Sequence, residues 1–289
     1  MTVVKNKIDF VGIVSVQNAN PNGDPLNGNR PRITDRGHGE ISDVALKRKI
    51  RNRWMEMGES VFVQSDDNRV DDFSSLRERA DGNEGLKRAG KDRDKYVDSA
   101  CSEWLDVRAF GQLFAFKGTG KGAGVSVGIR GPVTIQSAFS VDPVDIESIQ
   151  ITKSVNTEPG DKKGSDTMGM KHRVAFGVYI IKGSVNVQLA ERTGFSDEDA
   201  LKLQEALRTL FANDASSARP EGSMDLKYLY WFEHSSKLGQ YPPATVHDSI
   251  KITVKDGIEL PARFDDYEIR IQELDGLKPV IFSGYEEIQ

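Results

Sequence analysis

The side chains best placed for chemistry in this sequence are amides and cations, not nucleophiles. Asn18-Ala19-Asn20-Pro21-Asn22-Gly23-Asp24-Pro25 crowds asparagines, a glycine and two prolines into one short stretch. Pro21 and Pro25 fix their own φ and turn Asn20 and Asp24 away from the helical region, while Gly23 accepts positive φ, so the backbone must close into a compact loop. Short amides and free backbone N–H groups ahead of a helix make a concave donor surface suited to an anion such as phosphate. Asn18, Asn20, Asn22 and Gly23 are therefore candidate binding residues, with a plain surface turn as the alternative. Cations follow: Lys47 and Arg51 lie one helical turn apart with Arg48 further round, Lys121 sits in a glycine-rich loop, and Arg130 closes a strand-like run. Met168-Gly169-Met170-Lys171-His172-Arg173 sets two flexible thioethers before three cationic or titratable groups. Such a segment suits wedging between bases while holding phosphates; alternatively, the methionines open a core strand.

Other chemistries are poorly supplied. Cys101, the single cysteine, falls in the apolar stripe Val97, Cys101, Trp104 and Val107, which reads as a small buried thiol and not a nucleophile. Four scattered histidines without paired spacing do not make a zinc site, so metal chemistry would have to be carboxylate based; neither a metal nor a cofactor is expected. Gly118-Thr119-Gly120-Lys121-Gly122-Ala123-Gly124 imitates a nucleotide-binding loop, but no Ser or Thr follows the lysine and a strand-like stretch comes next where a helix is required. The chain is 37% hydrophobic and 29% charged, enough for a real core. It has no N-terminal apolar segment and no apolar run near the ~20 residues a membrane span needs, so a cytoplasmic protein without a membrane partner is expected. The net charge of −5 is unevenly spread: cations prevail in residues 1–60, the signs balance in 61–185, and acids prevail in 186–289. A basic surface can thus face a polyanion while the acidic remainder limits nonspecific binding or meets a basic neighbour.

These residues need elements to hold them. Ile8 to Val16 is β-branched and nearly continuous, as in a central strand. Leu26 to Glu40 lacks periodicity and reads as loop. Ser42 caps a helix running to Gly58, with Leu46, Ile50, Trp54 and Met57 on one face. Gln64 to Lys95 is charged and apolar-poor, a surface excursion; Tyr96 to Phe110 is amphipathic. Gly131 to Val141 is a second strand, Asp142 to Arg173 a long polar arm, and Val174 to Ile181 a third strand. Ser196 opens a further capped helix with Leu203, Leu207, Leu210 and Phe211 as its stripe, before a strand-rich tail. Two strand-and-helix units predict a ferredoxin-like α+β sheet, the fold shared by RNA recognition motifs. The aromatic signature of those motifs is absent, so base stacking on the sheet is not expected.

Four motifs in order carry a resemblance: the Asn18 to Pro25 loop, Asp106-Val-Arg-Ala-Phe-Gly111, Gly128-Ile-Arg-Gly-Pro-Val133 and Met168-Gly-Met-Lys-His-Arg173. Over nearly its whole length the sequence resembles the backbone subunit (Cas seven family, subtype I-C) of type I CRISPR Cascade interference complexes. The resemblance implies a single elaborated α+β domain: a modified ferredoxin-like, RNA-recognition-motif palm (residues 1–60, 96–141 and 168–289), a helical finger insertion (about 61–95) and a β-hairpin thumb (about 142–167). It implies that copies polymerise along a CRISPR RNA, each thumb kinking the guide and displacing one base. It also implies that the guide pairs with a target DNA strand beside other Cascade subunits. The loop and basic helix would then hold the guide backbone, with Met168 and Met170 beside the displaced base. A repeating subunit needs two different surfaces meeting head to tail, and the polar arm with Lys162 and Lys163 is the natural donor surface. No catalytic residue is expected. The rival reading is a metal-dependent ribonuclease like the related type III backbone subunits, using Asp24. Metal-assisted hydrolysis needs converging carboxylates, however, and the nearest second acid in sequence is Asp35.

Overall fold

The computed structural model describes residues 2–116, 125–152, 168–284 and 286–288. β1 (Ile8–Ala19) is buried at every residue from Ile8 to Val16, so its continuous apolar run reflects cover on both faces. It delivers the chain into a small hairpin of β2 (Gly23–Asp24) and β3 (Arg30–Pro31), joined by a 3₁₀ turn over Pro25–Asn27 that Asp24 caps. β4 (His38–Ile41) leads to α1 (Asp43–Glu56), whose first turn is closed by the Ser42 hydroxyl accepting from Ala45 N–H.

Next come α2 (Leu76–Gly82), α3 (Glu84–Ala89), α4 (Arg93–Glu103) and α5 (Leu105–Phe110), followed by the hairpin β5 (Gly111–Phe116) and β6 (Val125–Arg130). Together they form a lobe with its own core of Phe62, Leu86, Tyr96, Cys101, Trp104 and Phe114. The sequence places residues 61–95 on the surface and returns 96–141 to the palm. The structure instead packs the two stretches together as far as Ile129, because Ala80, Leu86 and Ala89 meet the aromatic side chains of α4 and β5. Cys101 is buried there as expected, and burial pushes its thiol up to about 12.

β7 (Val133–Ile135), β8 (Ala138–Pro143) and β9 (Ile146–Thr152) all pair with β10 (Met168–Val185). α6 (Val187–Thr193) and α7 (Asp197–Arg208) follow, the latter opened by a capping box between Ser196 and Asp199. β11 (Met224–Glu233), α8 (Pro243–Asp248), the hairpin β12 (Ile250–Val254) and β13 (Tyr267–Ile271), then β14 (Val280–Ser283) and β15 (Glu286–Ile288) complete the chain.

Among the described residues the main sheet runs β15-β14-β11-β1-β10-β8-β4. Its central strands, taken in chain order as β1, β8, β10 and β11, lie in the order 4-1-3-2 with antiparallel neighbours, the ferredoxin-like arrangement. α1 and α7 cover one face, burying Leu46, Ile50, Trp54, Leu203 and Leu207 against Phe10, Val14 and Val16. The other face, with Val11, Ile13, Val178, Tyr230 and Phe232, is closed by Val246, Ile250, Ile252, Tyr267 and Leu277. RNA recognition motifs stack bases on that face; here it is filled with protein.

The lobe is fastened to the palm by charge. Asp106, fully buried, accepts from Arg51 Nε (2.8 Å), Phe62 N–H (2.7 Å) and Val63 N–H (3.1 Å). Arg108 forks onto Asp199 through Nε and Nη2, both at 2.8 Å. Burial alone would raise the Asp199 carboxyl, but Arg108 and the Ser196 N–H and hydroxyl hold it below the usual range. Gly111, at φ 80, and Gly131 let the chains cross: a Cβ on Gly131 would stand 2.2 Å from the Ala109 carbonyl oxygen. Two of the four sequence motifs are therefore this joint. Asp106→Ala would leave a buried guanidinium and two N–H groups without their acceptor, and it should cost about 3–5 kcal/mol. Urea unfolding measures this, and a loss under about 1 kcal/mol would contradict the role of Asp106 as fastener.

Candidate nucleic-acid interface

The Asn-rich loop is held rigid by its own amides. Asn20 is buried and donates from Nδ2 to the Asn29 carbonyl (2.7 Å), and Asn22 Oδ1 accepts from Ser42 N–H (2.9 Å), tying the loop to the start of α1. Asn18 is exposed, at φ 53. The space beside Gly23 is filled by the Asn29 side chain. Asp24 Oδ1 accepts from Leu26 N–H at 3.2 Å and lies 3.5 Å from Arg32 Nη2.

Between this loop, α1 and the 213–219 segment lies a cleft of about 410 Å³, lined by Asn22, Gly23, Arg48, Lys49, Asn52, Asn68, Asp214 and Arg219 among others. Its amides present hydrogen-bond donors, while its cations Arg48, Lys49 and Arg219 are matched by Glu56, Asp67 and Asp214, the last shared by Lys49 and Arg219. Burial drives the Lys49 amine down to about 8, although Asp214 opposes the shift. Arg48 pairs with Asp67 at 3.0 Å, both side chains largely exposed. Such a pair contributes about 0–1 kcal/mol and is readily exchanged for a phosphate.

The predicted helix cations thus divide. Arg48 faces the cleft. Lys47 is bonded to Asp43 at 2.9 Å and lies 5.9 Å from the Phe110 ring centroid. Arg51, with its side chain only 13% exposed, is committed to Asp106 and holds the lobe, a structural job for a residue expected to meet a ligand. Lys49, Asn52 and Arg219 line the cleft without having been singled out by sequence. Lys49 sits beside the apolar stripe of α1, and its partner Asp214 is far away in the chain, so no local pattern exposes the pair. Lys121 lies outside the described residues. Arg130 lines a separate cleft between the lobe and α6.

The second feature is a ribbon. The last residue of β1, Ala19, pairs with Val174, so Met168 to Arg173 run beyond β1 and pair with β9 alone. The hairpin therefore begins at Ile146 and takes in Met168 to Val174, further than the expected 142–167; residues 153–167, including Lys162 and Lys163, lie outside the described residues. Strand alternation puts Met168, Met170 and His172 on one face, and Lys171 and Arg173 on the other with Ile149 and Ile151. Met168 is 67% exposed and Met170 54%. At the root, Ser148 Oγ lies 2.9 Å from His172 Nδ1 and accepts from Arg30 Nη1 (3.0 Å), so β3 braces the ribbon. Arg173 pairs with Glu147 at 2.7 Å.

The family model for the CRISPR-associated protein Cas7 matches residues 6–272. The chain belongs to the Cas7 family. A CRISPR-associated protein Cas7 of Haloferax volcanii is 26% identical over 241 residues, 78% of this chain and 69% of that protein. Among solved structures, a chain of a CRISPR RNA-guided surveillance complex in a pre-nicking state aligns with a TM-score of 0.48 at 16% identity, covering 78% of each chain. A chain of another CRISPR RNA-guided surveillance complex aligns with a TM-score of 0.48 at 17% identity, covering 88% of this chain and 78% of that one. In this Cas7 chain the matched span includes both the cleft and the ribbon. Because Lys49 keeps its charge below pH 8 and loses it above, RNA affinity should fall by up to about tenfold between pH 7 and pH 9. Lys49→Arg should flatten that fall in fluorescence anisotropy titrations; identical pH profiles for the two proteins would remove Lys49 from the interface.

Proposed function

We propose that this chain is the CRISPR RNA-binding backbone subunit of a type I Cascade surveillance complex, of subtype I-C. In this reading it is a cytoplasmic, nonenzymatic scaffold whose copies join head to tail along the guide and present it for pairing with a target DNA strand, beside other Cascade subunits. The observation that carries the reading is the ribbon of β9 and β10. It projects past β1 with two exposed methionines on one face and Lys171 on the other. Flexible thioethers enter a base stack as wedges, and adjoining cations hold the phosphates on either side. The cleft beneath the Asn-rich loop supports the same reading: its rigid backbone and the exchangeable Arg48 suit a phosphate, with Lys47 on the same helix and Arg130, Lys121, His172 and Arg173 as further contacts along the strand.

The ribonuclease reading would rest on Asp24. That carboxylate caps the Pro25–Asn27 turn and faces Arg32, an engagement that supports a structural role for it. With Mg²⁺ or Mn²⁺ present, target RNA should stay intact; cleavage lost in Asp24→Ala would favour the nuclease instead. Wild-type assemblies on RNA should show nuclease-sensitive positions at even spacing. Met168→Ser with Met170→Ser should abolish that spacing and weaken binding by about tenfold, through the apolar contact the two thioethers lose. Unchanged spacing would mean the methionines are not the wedge.

A further inference from the structure

A second cleft, of about 530 Å³, opens between α4 and β6 of the lobe and α6 of the palm. Arg93, Arg130 and Arg192 line it from those three elements, together with Asp94, Asp98 and Thr193. Most arginines of this protein are tied to a carboxylate, a carbonyl or a ring. Arg36, Arg93, Arg130 and Arg192 make no such contact with another described residue, and three of those four meet in this one cleft. Asp94 and Asp98 share the space, yet neither forms an ion pair with the three guanidiniums. Thr193 adds a second sign. It is only 5% exposed, and its Oγ1 has no hydrogen-bond partner among the described residues. A buried hydroxyl without a partner is costly, and this one lies within the cleft wall beside Arg192.

We infer that this cleft is a second phosphate-binding site, which holds the phosphodiester backbone of a nucleic-acid strand through Arg93, Arg130 and Arg192. Guanidinium forks match phosphate oxygens in pairs, and three forks on separate rigid elements define a track and not a single point. The volume lies in the range of pockets that take a small ligand, so a sugar-phosphate unit can enter where a folded acidic protein surface cannot. The first two turns of α4 contribute Arg93, Asp94, Val97 and Asp98; Asp92 caps that helix, and Asp94 and Asp98 offset part of the arginine charge. The inference rests on the chain's being a nucleic-acid scaffold.

The test uses the full-length protein with Arg93→Gln, Arg130→Gln and Arg192→Gln combined, and Arg36→Gln as a control outside the cleft. Because the three side chains are exposed and without ion pairs among the described residues, the variant should melt within a few degrees of wild type. Affinity is measured across a salt series for single-stranded RNA and for the same RNA paired to complementary DNA. The expected result is a salt slope lower by about two to three in at least one arm, with affinity down tenfold or more near 0.1 M salt, while Arg36→Gln behaves as wild type. A change with RNA alone assigns the site to the guide; a change only with the paired form assigns it to the DNA strand. If wild type binds both ligands and the triple variant matches it in both, the site does not exist, even if the variant fails to assemble with other copies, which would make the cleft a protein contact. Wild type binding neither ligand would instead overturn the proposed function.

Discussion

A buried carboxylate that must be satisfied sets the geometry of this protein. Asp106 has no access to solvent, and leaving it without partners would cost several kcal/mol. Arg51 from α1 and two N–H groups at Phe62 and Val63 meet it, which fixes where the chain leaves the palm. Arg108, two residues on, is clamped by Asp199 on α7, and the Gly111 and Gly131 crossing closes the return path. The walls of both clefts depend on this joint. Asp67 and Asn68, reached soon after Val63, border the first, and α4 with β6 forms one side of the second.

The sheet imposes the second constraint. Helices fill one face and the 243–277 segment fills the other, and a buried polar network sits at the start of β1, away from the Asn-rich loop. There Asp9 accepts from Lys7 Nζ (2.8 Å), His234 Nε2 (2.8 Å) and the Ser184 hydroxyl. Burial alone would raise that carboxyl; those partners hold it below the ordinary value, so it stabilises the fold above the unfolded carboxylate range and loses its contribution as pH falls through the folded one. With both faces occupied, a ligand has only loops, helix flanks and projecting strands to meet. That is where the exposed methionines, the Asn-rich loop and the arginines without a partner among the described residues are found.

The parts that sequence made plain are those governed by local physics. Continuous apolar β1, α1 with its Ser42 cap and Leu46-Ile50-Trp54 stripe, and α7 with its capping box need only neighbours within a few residues to be read. What escaped depends on distant partners. The lobe core joins the α4 stripe and β5 to Ala80, Leu86 and Ala89, which are sparse within a charged stretch, so residues 64–95 do not look apolar. Arg51 and Lys49 look like solvent-facing cations until Asp106 and Asp214 are brought beside them. In the ribbon, Ile149 and Ile151 turn outward without a core to meet, so β9 lacks the burial pattern that marks a strand.

The central claim is that this chain holds a CRISPR guide. It is tested most directly by purifying the protein from cells that transcribe a CRISPR array and sequencing the nucleic acid that accompanies it. The account predicts RNA of uniform length made of repeat and spacer sequence, protected from nuclease in proportion to the number of protein copies bound. Recovery of unrelated cellular RNA, or of none at all, would contradict it.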